Sequence, residues 1–300
     1  VSESEMLLHI AADTEVWRTG MDSWMRADHV VELRDKIVLK RTGTPPKRML
    51  KLPAVEERTF AGIDFCWIPP GEFMMGSPGS EKDRDKDEIQ HGVTISQGFW
   101  MGKYEVTQAQ WQQVMGENPS WHQKGSGFLW LEKETIPNCP VEQVSWNDCQ
   151  EFIKRLNASS KDTFRLSTEA EWEYACRAGT STRFYWGDDL SGMQINDYGW
   201  YADNSGNKPH PVGEKRPNPW GLYDMSGNVW EWCQDGYGDY PGSAEVDPTG
   251  VDSASGRVIR GGSWFNDSQG CRSAFRFSFS PVVRIYDLGF RVLAVPVTGK

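Results

Sequence analysis

The chain has 300 residues with 15 Trp and 13 Phe, enough apolar mass for one large domain or two ordinary ones, yet only 38% is hydrophobic, with 30 Gly and 17 Pro. Rings set among glycines and polar residues predict an irregular, loop-rich α+β fold with a small core per residue. A formal charge of −10 argues against a general nucleic-acid binder, which needs a basic face, and no apolar run of about 18 residues is present to span a membrane.

Residues 1–55 read as a helical extension and linker. Ser2 and Glu5 stand in capping-box spacing, MRADHVVELRDKIVLK has helical or mixed periodicity, and RTGTPPKR is a basic turn. Such helices would pair chains, pack on the domain that follows, or space it from a membrane. No basic stretch followed by an apolar one opens the chain as a secretion signal would. Residues 56–300 form the main domain. FAGIDFCWIPPGEFMMGS alternates apolar and polar residues and is broken by Pro-Pro-Gly, which suits a hairpin. EKDRDKDEIQH is a charged loop. SWNDCQEFIKRLNASS predicts an amphipathic helix with Trp146, Cys149, Phe152, Ile153 and Leu156 on one stripe, capped by Ser145 or Asn147. LSTEAEWEYACRAGTS predicts a second, in which Thr168 and Glu171 make a capping box, Trp172 and Ala175 face inward, and Gly179 supplies the stop. Beyond residue 180 Gly, Asn, Asp and Trp dominate and imply long loops, until GRVIRGGSWF and DLGFRVLAV return as short strands. The cysteines (Cys66, Cys139, Cys149, Cys176, Cys233, Cys271) are scattered, with no zinc spacing. Buried free thiols are expected, with one or two disulfides left open.

The stretch CRSAFRFSFSPVVRIYDLGFR (271–291) sets Phe275, Phe277 and Phe279 at alternate positions, so an extended chain puts the rings on one face. Periodicity alone favours the inner face of a core strand over rings facing outward to a partner.

IPPGEFMMGS, YEVTQAQW, PVEQVSWNDCQEF, RLSTEAEWEYACRAG, NPWGLYDMSGNVWEWC, RVIRGGSW and LGFRV, in this order, resemble the signatures of the formylglycine-generating enzyme (sulfatase-modifying factor) family. The resemblance covers about residues 60–295 and implies a variant of the C-type lectin fold. Oxidases of this family hold copper(I) on a pair of cysteines after the Gly-Gly-Ser motif. Here the matching positions are Asn266 and Cys271, and an amide is a poor ligand for that soft ion, so no copper is expected. The sulfoxide synthases take iron from a His-x3-His-x-Glu helix, a spacing that His9, His29, His91, His122 and His210 do not make. YDMSGNVWEW matches the family's calcium segment. By position, Asp224 and Glu231 would offer carboxylates, and Gly227 and Val229 carbonyls, to a structural Ca²⁺.

Between RGGSW and GFR the chain departs from the polar, Asn-rich segment of ordinary relatives. The frame residues stand, among them Gly261, Gly262, Ser263, Trp264, Cys271, Arg272, Arg276, Arg284 and Arg291. Between them lie Phe265, Asn266, Asp267, Phe275, Phe277, Phe279, Val283, Ile285, Tyr286 and Asp287. Phe, Val, Ile, Tyr and Asp are all reached from an Asn codon by changing its adenines. This resembles the variable proteins of diversity-generating retroelements, whose altered side chains sit outside on a lectin-fold face. The resemblance implies a non-enzymatic protein with a variable region over about 257–293, whose varied residues contact a protein or other macromolecular ligand. It also implies display at the cell surface, as a lipoprotein whose signal is not in this chain, with a cytoplasmic place left open. The frame arginines are expected to bond backbone carbonyls. The rival readings are an oxidase or auxiliary modifying enzyme using Cys271, and an undiversified scaffold domain of the same family.

Overall fold

The computed structural model of the protein describes residues 55–124, 134–251 and 254–295, and the backbone of three short strands before them. Those strands, β1 (Glu15–Arg18), β2 (Met25–Arg26) and β3 (Lys51–Leu52), form a sheet in the order β2-β1-β3. At these positions strand replaces the helix expected of residues 1–55. Val16 and Trp17, one β-branched and one aromatic, favour an extended chain. The rest of that extension, Ser2 and Glu5 included, lies outside the described residues.

The expected hairpin forms earlier than the Pro-Pro-Gly break. β4 (Glu57–Phe60) turns into β5 (Ile63–Ile68) through Ala61 and Gly62, both left-handed at φ 49° and 78°. Two positive φ values make the turn whose twist matches the flanking strands. Pro69 and Pro70 cannot donate to a ladder, so they end β5 and pass the chain to another sheet. There β6 (Gly71–Met75) pairs with β7 (His91–Ile95), and β11 (Glu245–Val246) adds to the far side of β7. β5 meanwhile pairs with β8 (Phe99–Gly102), which leads through β15 (Leu293–Val295) to β9 (Thr163–Arg165).

Three helices pack beside these sheets. α1 (Gln108–Met115), not anticipated as a helix, starts at a capping box of Thr107 and Gln110. α2 (Trp146–Ser159) is capped by Ser145, not Asn147, and buries Cys149, Phe152, Ile153 and Leu156, while Trp146 is only half-buried. Each such side chain stabilises by roughly 1.5–3 kcal/mol relative to exposure. Phe152 stacks on Trp111 of α1 at 5.3 Å, and Phe290 meets both rings edge-on. α3 (Glu169–Arg177) has the expected Thr168–Glu171 box and turns Trp172 and Ala175 inward. Its stop uses Ala178 in the left-handed region at φ 41°, with Gly179 following at 84°. A single turn, α4 (Ile195–Tyr198), interrupts the loops that follow. All six cysteines are buried and unpaired, which leaves no disulfide.

The C-terminal segment builds the sheet that positions the site. β10 (Trp230–Gly236) pairs antiparallel with β12 (Arg257–Arg260) and parallel with β14 (Leu288–Gly289). β13 (Arg276–Phe279) lies outside β12, at the edge. After β12, Gly261 and Gly262 stand at φ 96° and 72°. A Cβ on Gly262 would meet Gly270 O at 2.6 Å and Cys271 Sγ at 2.8 Å, so the close approach requires glycine. The result is an α+β, loop-rich fold.

Candidate functional site

Alternation along β13 sends successive side chains to opposite faces of its sheet. One set is tied down by charge. Arg276 puts Nε and Nη2 on the Glu169 carboxylate, both at 2.7 Å, and Nη1 on Gly238 O at 2.8 Å. Arg260, its register partner on β12, is fully buried and donates to Ala274 O at 2.8 Å, Phe275 O at 2.5 Å and the Glu173 carboxylate. Arg272 pairs with Glu88 at 2.6 Å and Glu81 at 2.8 Å, and donates to Gln269 O. Arg291 grips Glu231 through Nε and Nη2, at 2.7 and 2.6 Å, and the carbonyls of Gly102 and Tyr223. The expected carbonyl bonds are therefore present at Arg272, Arg276 and Arg291, reinforced by carboxylates. Arg284 differs: it is exposed and pairs only with Asp148, a surface bridge worth at most about 1 kcal/mol.

The other set is graded. Phe265 is 59% exposed, Phe277 49% and Tyr286 40%, and Asp267 is exposed beside them in sequence. Phe275, Phe279 and Ile285 are half-buried against the core, Phe275 lying 5.9 Å from Trp230, and Val283 is half-buried too. Phe277 packs edge-on against Phe279 at 5.4 Å. The three alternating rings thus lie on a core margin, and only the middle one faces water. Phe265 and Tyr286 sit 6.3 Å apart, each 5.6 Å from the buried Trp264 ring.

Two of the expected contact residues are drawn inward instead. Asp287 is 7% exposed; its carbonyl accepts the Trp230 N–H and its Oδ2 meets Ser263 Oγ at 2.8 Å. Asn266, half-buried, meets the same hydroxyl through Oδ1 at 2.7 Å. One hydroxyl proton cannot serve both acceptors. The chain of bonds is completed when Asp287 carries its own proton, in line with burial pushing its pKa up. Asp287 holds the loop's shape, because the short β14 that follows it pulls it under the surface.

Trp121 and His122, from the loop after α1, join the site unannounced by any sequence signal. Trp121 is 53% exposed, and the His122 ring stands edge-on to Trp264 at 5.3 Å and to Tyr286 at 6.3 Å. No periodicity or motif marks these residues; only the approach of two distant loops does. Val282, 63% exposed beside Pro281, was equally unmarked.

At the positions matching the family's copper cysteines, Asn266 and Cys271, the chemistry is weak. Cys271 is fully buried, and burial first, then Asp267, pushes its thiol far above the usual range. A thiol so held is not a ready nucleophile. Among the described residues no group of three or more His, Cys, Asp or Glu side chains is arranged to hold a metal. His91, His122 and His210 each face a different carboxylate, and His9 and His29 lie outside the described residues.

In the segment that matches the family's calcium loop, residues 224–232 are buried and carry two acids, and Tyr223 is half-buried. Asp224, Glu231 and Glu105 face a single guanidinium, Arg291. Asp224 accepts the Gly213 N–H through Oδ2 at 2.7 Å, and its Oδ1 has no hydrogen-bond partner. Burial pushes Asp224 up to about 6, against the Gly213 N–H and Arg291, which pull it down. Burial also raises Glu105 well above the carboxylate range, with Asp224 and Glu231 adding to the shift. Glu231 Oε2 accepts from both Arg291 Nε and Trp172 Nε1, each at 2.7 Å, so only Oε1, which accepts from Arg291 Nη2 at 2.6 Å, keeps a lone pair. An orphaned oxygen and surplus negative charge fit a hard cation, whose remaining ligands would be the Gly227 and Val229 carbonyls.

Comparison with known proteins agrees with this architecture. The family model for the sulfatase-modifying factor enzyme 1-like domain matches residues 51–295. The formylglycine-generating enzyme of Streptomyces coelicolor is 40% identical over 170 residues, 52% of each chain, so the match spans about half that relative's length. The chaperone protein LppX of Paenibacillus barcinonensis is 29% identical, covering 74% of this chain and 89% of that one. Among solved structures, Treponema denticola variable protein 1 superposes with a TM-score of 0.69 at 33% identity, covering 82% of this chain and all (100%) of that one. PvdO from Pseudomonas aeruginosa superposes with a TM-score of 0.70 at 28% identity, over 81% and 98%. Motif order, fold and sequence identity converge: the chain belongs to the formylglycine-generating enzyme, or sulfatase-modifying factor, family, with its C-type-lectin-type fold.

Proposed function

We propose that this protein is a non-enzymatic binder that recognises a protein or other macromolecular ligand through Phe265, Asp267, Phe277 and Tyr286, in a segment diversified by a retroelement. One observation carries the reading: large rings stand exposed in a segment where Arg260, Arg272, Arg276 and Arg291 are buried in ion pairs. Exposed rings offer contact area at small rotamer cost, and a rigid frame keeps the ordering penalty of binding low. The similarity to the Treponema variable protein supports it, and Phe275, Phe279, Val283 and Ile285 act as the half-buried base of the face. Asn266 and Asp287 shape the loop. Display at the cell surface belongs to the same proposal; among the described residues no helix is long and apolar enough to cross a membrane.

The rival enzymatic reading rests on the likeness to formylglycine-generating enzymes. With Asn266 in place of a thiolate, copper(I) added to the purified protein is expected to be lost on desalting. A cysteine-containing peptide should remain unoxidised. Stoichiometric copper retention with aldehyde formation would sink the binding-only proposal. At the gene, a nearby near-copy of the segment for residues 257–293, differing at adenines alone, is expected if the segment is diversified.

A structural Ca²⁺ at Asp224 is part of the proposal. Calcium at ten times its Kd should stabilise the fold by about 1.4 kcal/mol over the EDTA-treated protein, and Asp224→Asn should abolish the difference. The ion needs ionised Asp224, so its affinity should rise as pH passes upward through about 6. An equal melting temperature with calcium and with EDTA at neutral pH would remove the ion from the account.

A further inference from the structure

On the opposite side of the β12–β13 pair, a cavity of about 470 Å³ opens between the start of α3, β7 and the loop after β10. Its polar lining includes His91, Glu169, Asp235, Asp239, Glu245 and Arg276. The one guanidinium among them is spent, since all three of the Arg276 bonds described above go to Glu169 and Gly238 O. Among the described residues Asp235, Asp239 and Glu245 form no close ion pair with a lysine or arginine, and Arg165 acts on Asp235 only at longer range.

His91 gives this acidic site a direction. It is 3% exposed, and its Nδ1 lies 2.9 Å from Ile89 O, which only accepts, so Nδ1 carries the proton and Nε2 is left as an acceptor. Nε2 has no hydrogen-bond partner; the nearest carboxylate oxygen, Glu245 Oε2, stands at 3.7 Å. Two acceptors thus face each other with no donor between them. Asp235, 2% exposed, accepts the Glu169 N–H at 2.9 Å and adds a further carboxylate to the same cavity.

We propose that this cavity binds a primary ammonium group between His91 Nε2 and the Glu245 carboxylate, which accept its N–H bonds, with Asp235 and Asp239 on the same wall supplying further negative charge. An ammonium supplies three donors and no acceptor, matching a lining with acceptors in excess. A hydroxyl supplies one donor, and an anion would meet three carboxylates. The volume lies within the roughly 300–1,000 Å³ of ordinary ligand pockets, so the group arrives on a larger molecule. That molecule is either a free amine or a protein carrying the group as a lysine side chain.

Protons compete with such a ligand. The charged groups acting on Asp235 are Glu169 and Glu171 on α3 and Arg165 on β9, with Arg276 on β13 and the loop's own Asp239 lining the same cavity. Burial first, then Glu169, pushes Asp235 up to about 8, and a bound cation would draw that proton off. The groups facing His91 are Glu245 and the Tyr240 ring, 4.8 Å away. Affinity should therefore rise with pH up to about 8.

Calorimetry on the full chain with cadaverine, Nα-acetyl-lysine amide and pentanediol tests the proposal. Binding of cadaverine or the lysine amide, with none by pentanediol, is expected, and the tighter of the two amines tells free amine from protein side chain. Glu245→Gln, at a side chain 33% exposed, should keep the fold and lose at least about tenfold in affinity. Asp235→Asn should flatten the pH dependence. Absence of heat with both amines, equal binding by pentanediol, or an unchanged affinity in folded Glu245→Gln protein would each overturn it.

Discussion

Arg291→Met is expected to lose about 3–5 kcal/mol of folding stability, the usual result of removing one partner from a buried ion pair. Burial alone would lower the pKa of this guanidinium, yet Glu231, Glu105 and Asp224 together raise it above the ordinary arginine value. Methionine fills much of the volume but leaves three buried carboxylates facing one another, and it removes the guanidinium bonds to the Gly102 and Tyr223 carbonyls. The pH dependence has a definite sign. In the wild type, Asp224 titrates at about 6 against an ordinary 3.8, so folding favours its protonated form. That contribution is complete below the ordinary value and is lost as pH rises through about 6. Without Arg291 the neighbouring acids should shift further upward, so the variant's deficit should narrow in acid. Urea denaturation at neutral and mildly acidic pH checks this. A loss under about 1 kcal/mol at neutral pH would show that the ion pair does not anchor the segment.

Phe265→Ala with Tyr286→Ala should weaken ligand binding by about 4 kcal/mol, near a thousandfold, while leaving stability within about 1 kcal/mol of wild type. The separation follows from where these rings stand. Both are more than a third exposed, so truncation opens little cavity. Each also rests on Trp264, which is buried and holds them in place before a partner arrives. A ligand recovered by screening the wild type against surface extracts would be titrated against the double variant by calorimetry. Wild-type affinity in the folded double variant would move the binding site elsewhere. Asp287→Asn should behave oppositely, disturbing the loop through Ser263 without removing a contact.

Much of the scaffold was legible before folding. Thr168 and Glu171 marked the start of α3, and the spacing of Cys149, Phe152, Ile153 and Leu156 marked the buried stripe of α2, because caps and periodicity are local properties. Local signals misled where neighbours competed. The Pro-Pro-Gly break read as a hairpin turn, whereas Ala61 and Gly62 had already turned the chain.

Local order in the chain sets the family, the helices α2 and α3 with their starts, the loop-rich character of the C-terminal half, and the amide of Asn266 where a thiolate would stand. Which alternating rings meet water is set by long-range packing alone. Phe275, Phe277 and Phe279 are identical in sequence logic, but Trp230 lies beside the first and the core margin shelters the last. Likewise nothing local distinguishes Tyr286 from Asp287, yet one is exposed and the other buried beneath Ser263. Exposure is set by what lies across a sheet or under a loop, and those partners, such as His122 and Trp264, come from distant parts of the chain.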